Sequence, residues 1–324
     1  MTVDLDHRPS PEPDRPPRAD PAPPDDATPE RRPRPSLWRR ILRDRTVLMF
    51  AVPGMVILFA FQDFRPFLGI DGSLWVGFQN FAVLVSNDPA FLNALWNTLI
   101  LTLIQAVFVF PLPIVLALML NSLLSNRLRQ TIQSILYLPH FLSWVIVVAV
   151  FQQMLGGSGM INNFLRSHGL ETLDIIGNAE VFRLLLTSQV IWKDTGWATI
   201  LFLAVLAGID RSLYEAASVD GASRARQMWH VTLPGMKPII ILLFILQLGN
   251  SLTVGFEQII LQQQAVGIDA SEVLDTYVYN EGIAGGQWGT AAAVGLVKSA
   301  VGLVLVLSAN KLAHAFGEQG VYKA

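Results

Sequence analysis

The 324-residue chain is 52% hydrophobic, carries 23 basic against 25 acidic side chains and has no cysteine. The length fits one large domain or two small ones, the near-balanced charge calls for no nucleic-acid partner, and the missing thiols exclude disulfides and thiolate metal sites. The averages hide a sharp internal contrast. Residues 1–36 hold six apolar side chains but eleven of the nineteen prolines, the composition of a disordered tail. No apolar core of a signal peptide stands near the start, so the first apolar stretch, from about Thr46, is expected to stay as an uncleaved anchor.

A bilayer core of about 30 Å needs about 20 apolar helical residues. Six stretches meet that length: Arg45–Phe64, Phe91–Leu120, Thr131–Met154, Leu184–Ala207, Lys237–Phe256 and Gly289–Lys311. Between Asp88 and Arg127 there is no charged side chain at all, so this segment has no polar face to offer water. The basic residues then set the orientation. With a cytoplasmic N-terminus, eighteen Lys and Arg fall inside and only Arg65, Arg166 and Arg183 outside. Both termini are therefore expected in the cytoplasm. The outer loops lie near 65–90, 155–183 and 257–288, with Trp75, Phe78, Phe81 and Trp288 as interfacial anchors. Pro53, Pro111 and Pro113 fall inside spans and are expected to kink them locally. Gly295, Ser299 and Gly302 form a small-residue stripe suited to helix packing.

The inner loop between the fourth and fifth spans reads EAASVDGASRARQMWHVTLP, Glu215 to Pro234. Ser212–Val219 is expected to be a short helix with Ser212 as its cap. Asp220-Gly221 supplies the turn, since Gly accepts a left-handed backbone, and a second short helix should stop before Pro234. Ala216, Ala217 and Ala222 leave room for another surface to come close. Physically this is either a rigid docking knob or an amphipathic connector on the headgroups.

The segment resembles the EAA loop of binding-protein-dependent ABC importer permeases: E-A-A, three residues, G, and a later L-P. Glu215, Ala216, Ala217, Gly221, Leu233 and Pro234 match, and Trp229 stands where many such loops carry Phe. Over Trp38–Ala315 the chain resembles the complex-oligosaccharide branch of the maltose-type carbohydrate permeases, through YLPHFLSWVIV, IWKDTGW, VGFEQIILQ and EVLDTYVYNEGI. The resemblance implies an all-α integral membrane protein with six transmembrane helices and a cytoplasmic helical hairpin. It divides the chain into a cytoplasmic tail (1–36) and a permease domain (37–324) whose EAA loop spans 208–236. It makes Glu215, Ala216, Ala217, Asp220, Gly221 and Pro234 the ATPase-coupling positions. It also implies partners: a second permease, cytoplasmic ATP-binding subunits that hold ATP and Mg, an extracytoplasmic solute-binding protein, and the bilayer of a bacterial plasma membrane.

Polar groups within a span usually face protein or water. Gln247, Asn250, Ser251, Glu257 and Gln258 follow a 3–4 spacing expected to form one stripe of the fifth span. Gln189, Lys193 and Trp197 share a face of the fourth, with Trp192 and Asp194 beside them. Asn93, Asn97 and Gln105 make a weaker stripe in the second. Amides and indoles suit a sugar, which needs hydrogen-bond partners and a flat apolar ring. The same groups also serve helix packing, and Lys193 with Asp194 is compatible with a local pair. No phosphate loop is present: Val297 precedes Lys298-Ser299 where a Gly is required. The five scattered histidines offer no zinc site, and GGSG at 156–159 lacks the last Gly of a nucleophile elbow and reads as a flexible outer loop. No catalytic constellation is expected in this chain. An ion-driven secondary transporter is the alternative, but no internal repeat is evident, and such a carrier needs no docking loop.

Overall fold

A computed structural model describes Gly54, residues 57–315 and Gly317. The expected tail, Pro53 and the first part of the expected Arg45–Phe64 span lie outside these residues. From Gln62 a two-stranded antiparallel hairpin forms, β1 (Gln62–Asp63) with β2 (Leu74–Trp75), pairing Gln62 with Trp75 and Asp63 with Leu74. Phe61 lies 5.7 Å from the Trp75 ring, 5.4 Å from Phe78 and 5.2 Å from Phe81. Three of the four expected anchors thus form one aromatic cluster, and Trp288 lines a cavity beside the hairpin with Leu74, Val76 and Asn80.

Five segments among the described residues are long and apolar enough to cross a membrane: Pro89–Asn121, Trp144–Ser167 (divided by a glycine loop at 156–159), Ala179–Gly208, Arg224–Gly249 and Trp288–Ala315. The first, α1 (Pro89–Asn121), is capped by the Asp88 carboxylate, which accepts from the N–H groups of Ala90 and Phe91. Only 11% of its most apolar 18-residue stretch is buried, as fits a helix whose outer face meets lipid or another subunit. Its middle, Gln105–Val109, is a π-turn just ahead of Pro111. The wider turn takes up the amide that proline lacks, so the helix continues through both prolines.

The expected third span is not one helix. The chain forms α2 (Asn126–Tyr137), a 3-10 turn at Leu138–Phe141, an extended residue at Leu142, then α3 (Trp144–Leu155) capped by Ser143. Pro139 brings no N–H to the ladder, and the carbonyls left open where the chain turns extended at Leu142 find a partner in another helix, described below. After the glycine loop comes α4 (Met160–Ser167), where Asn162 holds the loop by donating to the carbonyls of Gly156 and Leu173. The GGSG loop is therefore tied down rather than free. The central helix is α5 (Ala179–Gly208), started by the Asn178 cap. It includes Arg183, which was expected in an outer loop.

The hairpin region forms α6 (Arg211–Val219), but its cap is Asp210, not Ser212. The second helix does not stop at Pro234 either. It runs on as α7 (Arg224–Gly249) through a π-turn at Met228–Thr232, which places Pro234 where its missing N–H leaves no gap. The fifth span thus starts and ends earlier than Lys237–Phe256. Beyond Gly249 the chain leaves the helix, and Gly255 takes a left-handed φ of 57° before α8 (Phe256–Ile260). Single turns lead to α9 (Leu274–Tyr279), a π-turn at Asn280–Ala284 and α10 (Trp288–Ala315).

Three cores hold the bundle, and one of them joins Phe91 and Ala94 of α1 to Leu274 and Tyr277 of α9 and Val294 of α10. At the hairpin end, Ala117, Phe202, Leu206 and Met236 join α1, α5 and α7. At the opposite end, Leu101, Phe182, Leu185, Leu186, Val254, Ile259 and Val273 join α1 and α5 to the segment after α7. Within a bilayer such contacts hold helices together by close van der Waals packing rather than by removal from water. Of the expected small-residue stripe, Gly302 lets α10 approach the carbonyl of Gly249, whereas a Cβ at Gly295 would meet nothing within 4 Å and Ser299 is exposed.

Candidate functional site

Two features stand out: the hairpin and a cavity along α7. The hairpin is built by local rules. The Asp210 carboxylate accepts from the Ser212 N–H at 2.9 Å, and this hydrogen bond holds its pKa below the ordinary value. α6 then ends in a Schellman motif: Gly221 takes φ 73°, its N–H reaches the Ser218 carbonyl, and the Ala222 N–H reaches the Ala217 carbonyl at 2.9 Å. Ser223 caps α7, and the Gln227 side chain ties the two helices by donating to the Ser218 hydroxyl at 3.0 Å and the Ala222 carbonyl at 3.1 Å. Tyr214 and Thr232 share a second cross-link at 3.0 Å. Glu215, Ala216, Asp220, Gly221 and Pro234 are exposed, Ala217 is half-buried, and Leu213, Val219 and Trp229 present apolar side chains outward. A stiff knob with exposed apolar groups is suited to docking.

The cavity, about 340 Å³, lies between α1, α5 and α7. Gln105, Asp194, Thr195, Gln247 and Asn250 supply its polar wall, and Phe110 and Phe202 part of its apolar wall. The π-turn of α1 aims Gln105 at it. The Thr195 hydroxyl is buried without a partner, and Asn250 is exposed at the frayed end of α7.

Of the residues singled out from sequence, Gln105, Asp194, Gln247 and Asn250 meet here. The helix break at Asn250 disperses the expected stripe, and Glu257 stands exposed on α8. Gln189 is fully buried, its amide paired with Gln262 at 3.0 Å and accepting from Gln258 at 2.6 Å. Lys193 donates to the carbonyls of His140 and Leu142 at 2.6 Å each, and lies 5.5 Å over the Trp144 ring. It therefore satisfies the break between α2 and α3 rather than pairing with Asp194. Asp194 instead meets His140 Nδ1 at 2.9 Å. Trp197 stacks on His140 at 4.7 Å, and Trp192 packs edge-on against Phe151. Sequence reasoning missed His140 and Thr195. The Pro139-His140 step, set beside charges within the next span, was the available signal.

At the opposite end, Asn93 and Asn97 do not line a path. Asn97 donates to the Glu272 carbonyl at 3.0 Å and accepts from Arg183 at 2.8 Å, while Asn93 reaches the Asp269 carbonyl at 2.7 Å. Burial pushes the Glu272 carboxyl up, partly offset by a hydrogen bond from Asn280, and pushes the Tyr277 phenol up to about 12.

Comparison with known proteins agrees with this geometry. Residues 109–316 match the family described as the binding-protein-dependent transport system inner membrane component. YteP of Bacillus subtilis (strain 168), a polygalacturonan/rhamnogalacturonan transport system permease protein, is 46% identical over 272 residues, 84% of either chain. LplB of the same organism is 40% identical over 299 residues, 88% of this chain and 94% of that one. The crystal structure of a bacterial alginate ABC transporter, in complex with alginate pentasaccharide-bound periplasmic protein, superposes with a TM-score of 0.74 at 35% identity. It covers 88% of this chain and 99% of that one. The match over most of the chain makes it a component of a transporter, and the chain belongs to the family of binding-protein-dependent transport system inner membrane components.

Proposed function

We propose that this permease forms half of a path through which a sugar or oligosaccharide enters the cell, and that its hairpin couples the path to a separate ATPase. The rigid, doubly capped hairpin carries the reading. Glu215, Ala216, Ala217, Asp220, Gly221 and Pro234 form the docking surface, with Val219 and Trp229 as its apolar contacts. Both termini and the hairpin face the cytoplasm, where ATP and Mg bind to the partner subunits. A second permease completes the path, and an extracytoplasmic binding protein delivers solute at the opposite end. ATP drives the cycle only if its binding favours one arrangement of the two permeases over the other. α6 and α7 are suited to transmit that bias, because α7 runs without interruption from the hairpin to Asn250. Solute then meets Gln105, Asp194, Gln247 and Asn250, amides and a carboxylate that hydrogen-bond hydroxyls. The names of the relatives support a carbohydrate as that solute.

Gly221→Val tests the coupling. A Cβ at Gly221 meets no atom within 4 Å, so the substitution acts on backbone alone, at about 1–2 kcal/mol for a left-handed non-glycine residue. Membrane insertion should persist, while solute uptake and binding-protein-stimulated ATP hydrolysis fall to background. Gly221→Asn, which tolerates this conformation, should retain both. Stimulated hydrolysis in the valine variant would remove the hairpin from the coupling route.

A further inference from the structure

α10 carries two lysines, the exposed Lys311 near its C-terminal end and Lys298 in its middle, whose ammonium pairs with the Asp275 carboxylate of α9. Both side chains are largely buried, at 15% and 19% exposure. The pair is only half satisfied, for the second oxygen of Asp275, Oδ2, is buried with no partner. Buried carboxylate oxygens are rarely left this way. Ion pairs taken out of water are poor sources of stability, and ionisable groups within a membrane protein mark transport routes.

The surroundings separate Lys298 from its fellow cations. Lys193 is fixed to two backbone carbonyls, and Arg183 to Asn97. Lys298 instead stands on the wall of a cavity of about 440 Å³ between α7 and α10, together with Asn250, Thr253 and Ser299. Asn250 also lines the cavity assigned above to solute, so Lys298 faces space that opens from the same break in α7. Asp275 faces a neighbouring cavity of about 810 Å³, which shares Thr253 and Ser299 and has Phe256, Tyr279 and Trp288 in its walls.

We infer that Lys298 is the group with which this permease recognises the carboxylate of a uronate residue in an acidic oligosaccharide, and that Asp275 occupies the ammonium while no solute is present. The inference rests on the carbohydrate reading above and narrows it. A side-chain carboxylate and a uronate carboxylate are the same chemical group, so the solute replaces its own likeness. A lysine ammonium is a compact charge without a fixed plane and accepts a carboxylate from several directions, which suits sugar units that pass rather than lodge. Asn250, Thr253 and Ser299 supply the hydroxyl partners, and the three aromatic rings supply faces for the sugar C–H groups. Polygalacturonan and alginate, named for relatives of this chain, are both built of uronates.

The test uses the whole permease–ATPase complex in lipid nanodiscs, trapped with ATP and vanadate. Equilibrium binding is measured for trigalacturonate and for its carboxyl-reduced counterpart, galactotriose. Wild type should prefer trigalacturonate. Lys298→Gln should cut that preference at least about tenfold, equivalent to ~1.4 kcal/mol, and Lys298→Arg should restore it. Asp275→Asn should tighten trigalacturonate binding, because the internal competitor is gone. Equal weakening for both sugars in Lys298→Gln, or a preference that survives it, would show a purely structural pair and overturn the inference. Wild type that binds galactotriose but not trigalacturonate defeats the inference and leaves the carbohydrate reading standing. Binding of neither sugar defeats both.

Discussion

The hairpin and the segment that closes the opposite end, residues 250–287, solve the same problem in contrasting ways. Each returns the chain from one long helix to another. The hairpin does so with short-range bonds: Asp210 to Ser212, Ala222 to Ala217, Gln227 to Ser218 and Ala222. It leaves most of its surface exposed. The opposite segment is held from afar. Gln258 and Gln262 meet Gln189 of α5, the Leu274 N–H reaches Thr98 of α1 at 2.9 Å, and Asn97 holds the carbonyls of Asp269 and Glu272. The exposed hairpin, proposed above as a docking surface, is thus stiffened from within. A surface that must seal the bundle is stiffened by the bundle.

The sharpest test of long-range fixation lies between α5 and the broken helix beside it. A Cβ at Gly196 would run into the backbone carbonyl of Leu136, which has no flexible end to give way. Gly196→Ala should therefore cost ~3 kcal/mol or more and abolish accumulation of folded permease. Gly208→Ala is the control, for it sits in the same helix with nothing within 4 Å and should be neutral or slightly stabilising. Next in size comes Gln189→Leu. It removes the acceptor of two glutamine donors and orphans Gln262 Oε1, which costs about 1–3 kcal/mol for a buried unpaired group. Thermal unfolding in detergent should show the loss, and an unchanged midpoint would mean the glutamines contribute nothing to the seal.

This contrast also explains what could be read in advance. The EAA pattern is local, and Gly221, its turn and the two helices follow from a few adjacent residues. Long apolar runs give the spans α1, α5 and α10 for the same reason, since bilayer thickness acts on each separately. The break at Leu138–Ser143 was not legible, because it depends on Lys193, about fifty positions away, to satisfy the carbonyls of His140 and Leu142. Pro234 misled through the opposite effect: a π-turn absorbed a proline that local rules treat as a stop. Gln258 and Asn250 share a helical spacing in sequence, yet the left-handed Gly255 between them sends one to the seal and leaves the other at the cavity. The cavity wall was legible one residue at a time but not as an assembly.

Glu272 sharpens the comparison through pH. It is 5% exposed, and burial raises its carboxyl above the ordinary 4.5, with Asp88, Asp269 and Glu281 adding to the shift against the Asn280 hydrogen bond. The folded state therefore holds this proton more tightly than the unfolded chain, and stability falls as pH rises from the ordinary value through the raised one. At neutral pH the ionised group is a cost. Glu272→Gln keeps an acceptor for Asn280 and removes that cost, so hydrogen exchange at Val273–Thr276 should slow at pH 7. Below the ordinary value the variant and wild type should coincide. Faster exchange at pH 7 would show that the carboxylate is needed there.

Asp210 should give the smallest and most local effect, with the opposite sign. Its carboxyl is held below the ordinary value by the Ser212 hydrogen bond, so its contribution is complete above the ordinary carboxylate range and lost only as pH falls through the lowered one. Asp210→Ala should speed exchange in the first turn of α6 at neutral pH while the amides of α8 and α9 stay as protected as before. Asp210→Asn, which keeps the acceptor, should recover most of the protection. The hairpin is cross-linked independently by Gln227 and by the Tyr214–Thr232 pair, so the loss should stop at that first turn. Exchange that spreads into α7 would mean that the knob is held as one cooperative unit, and that its stiffness depends on the cap rather than on the cross-links.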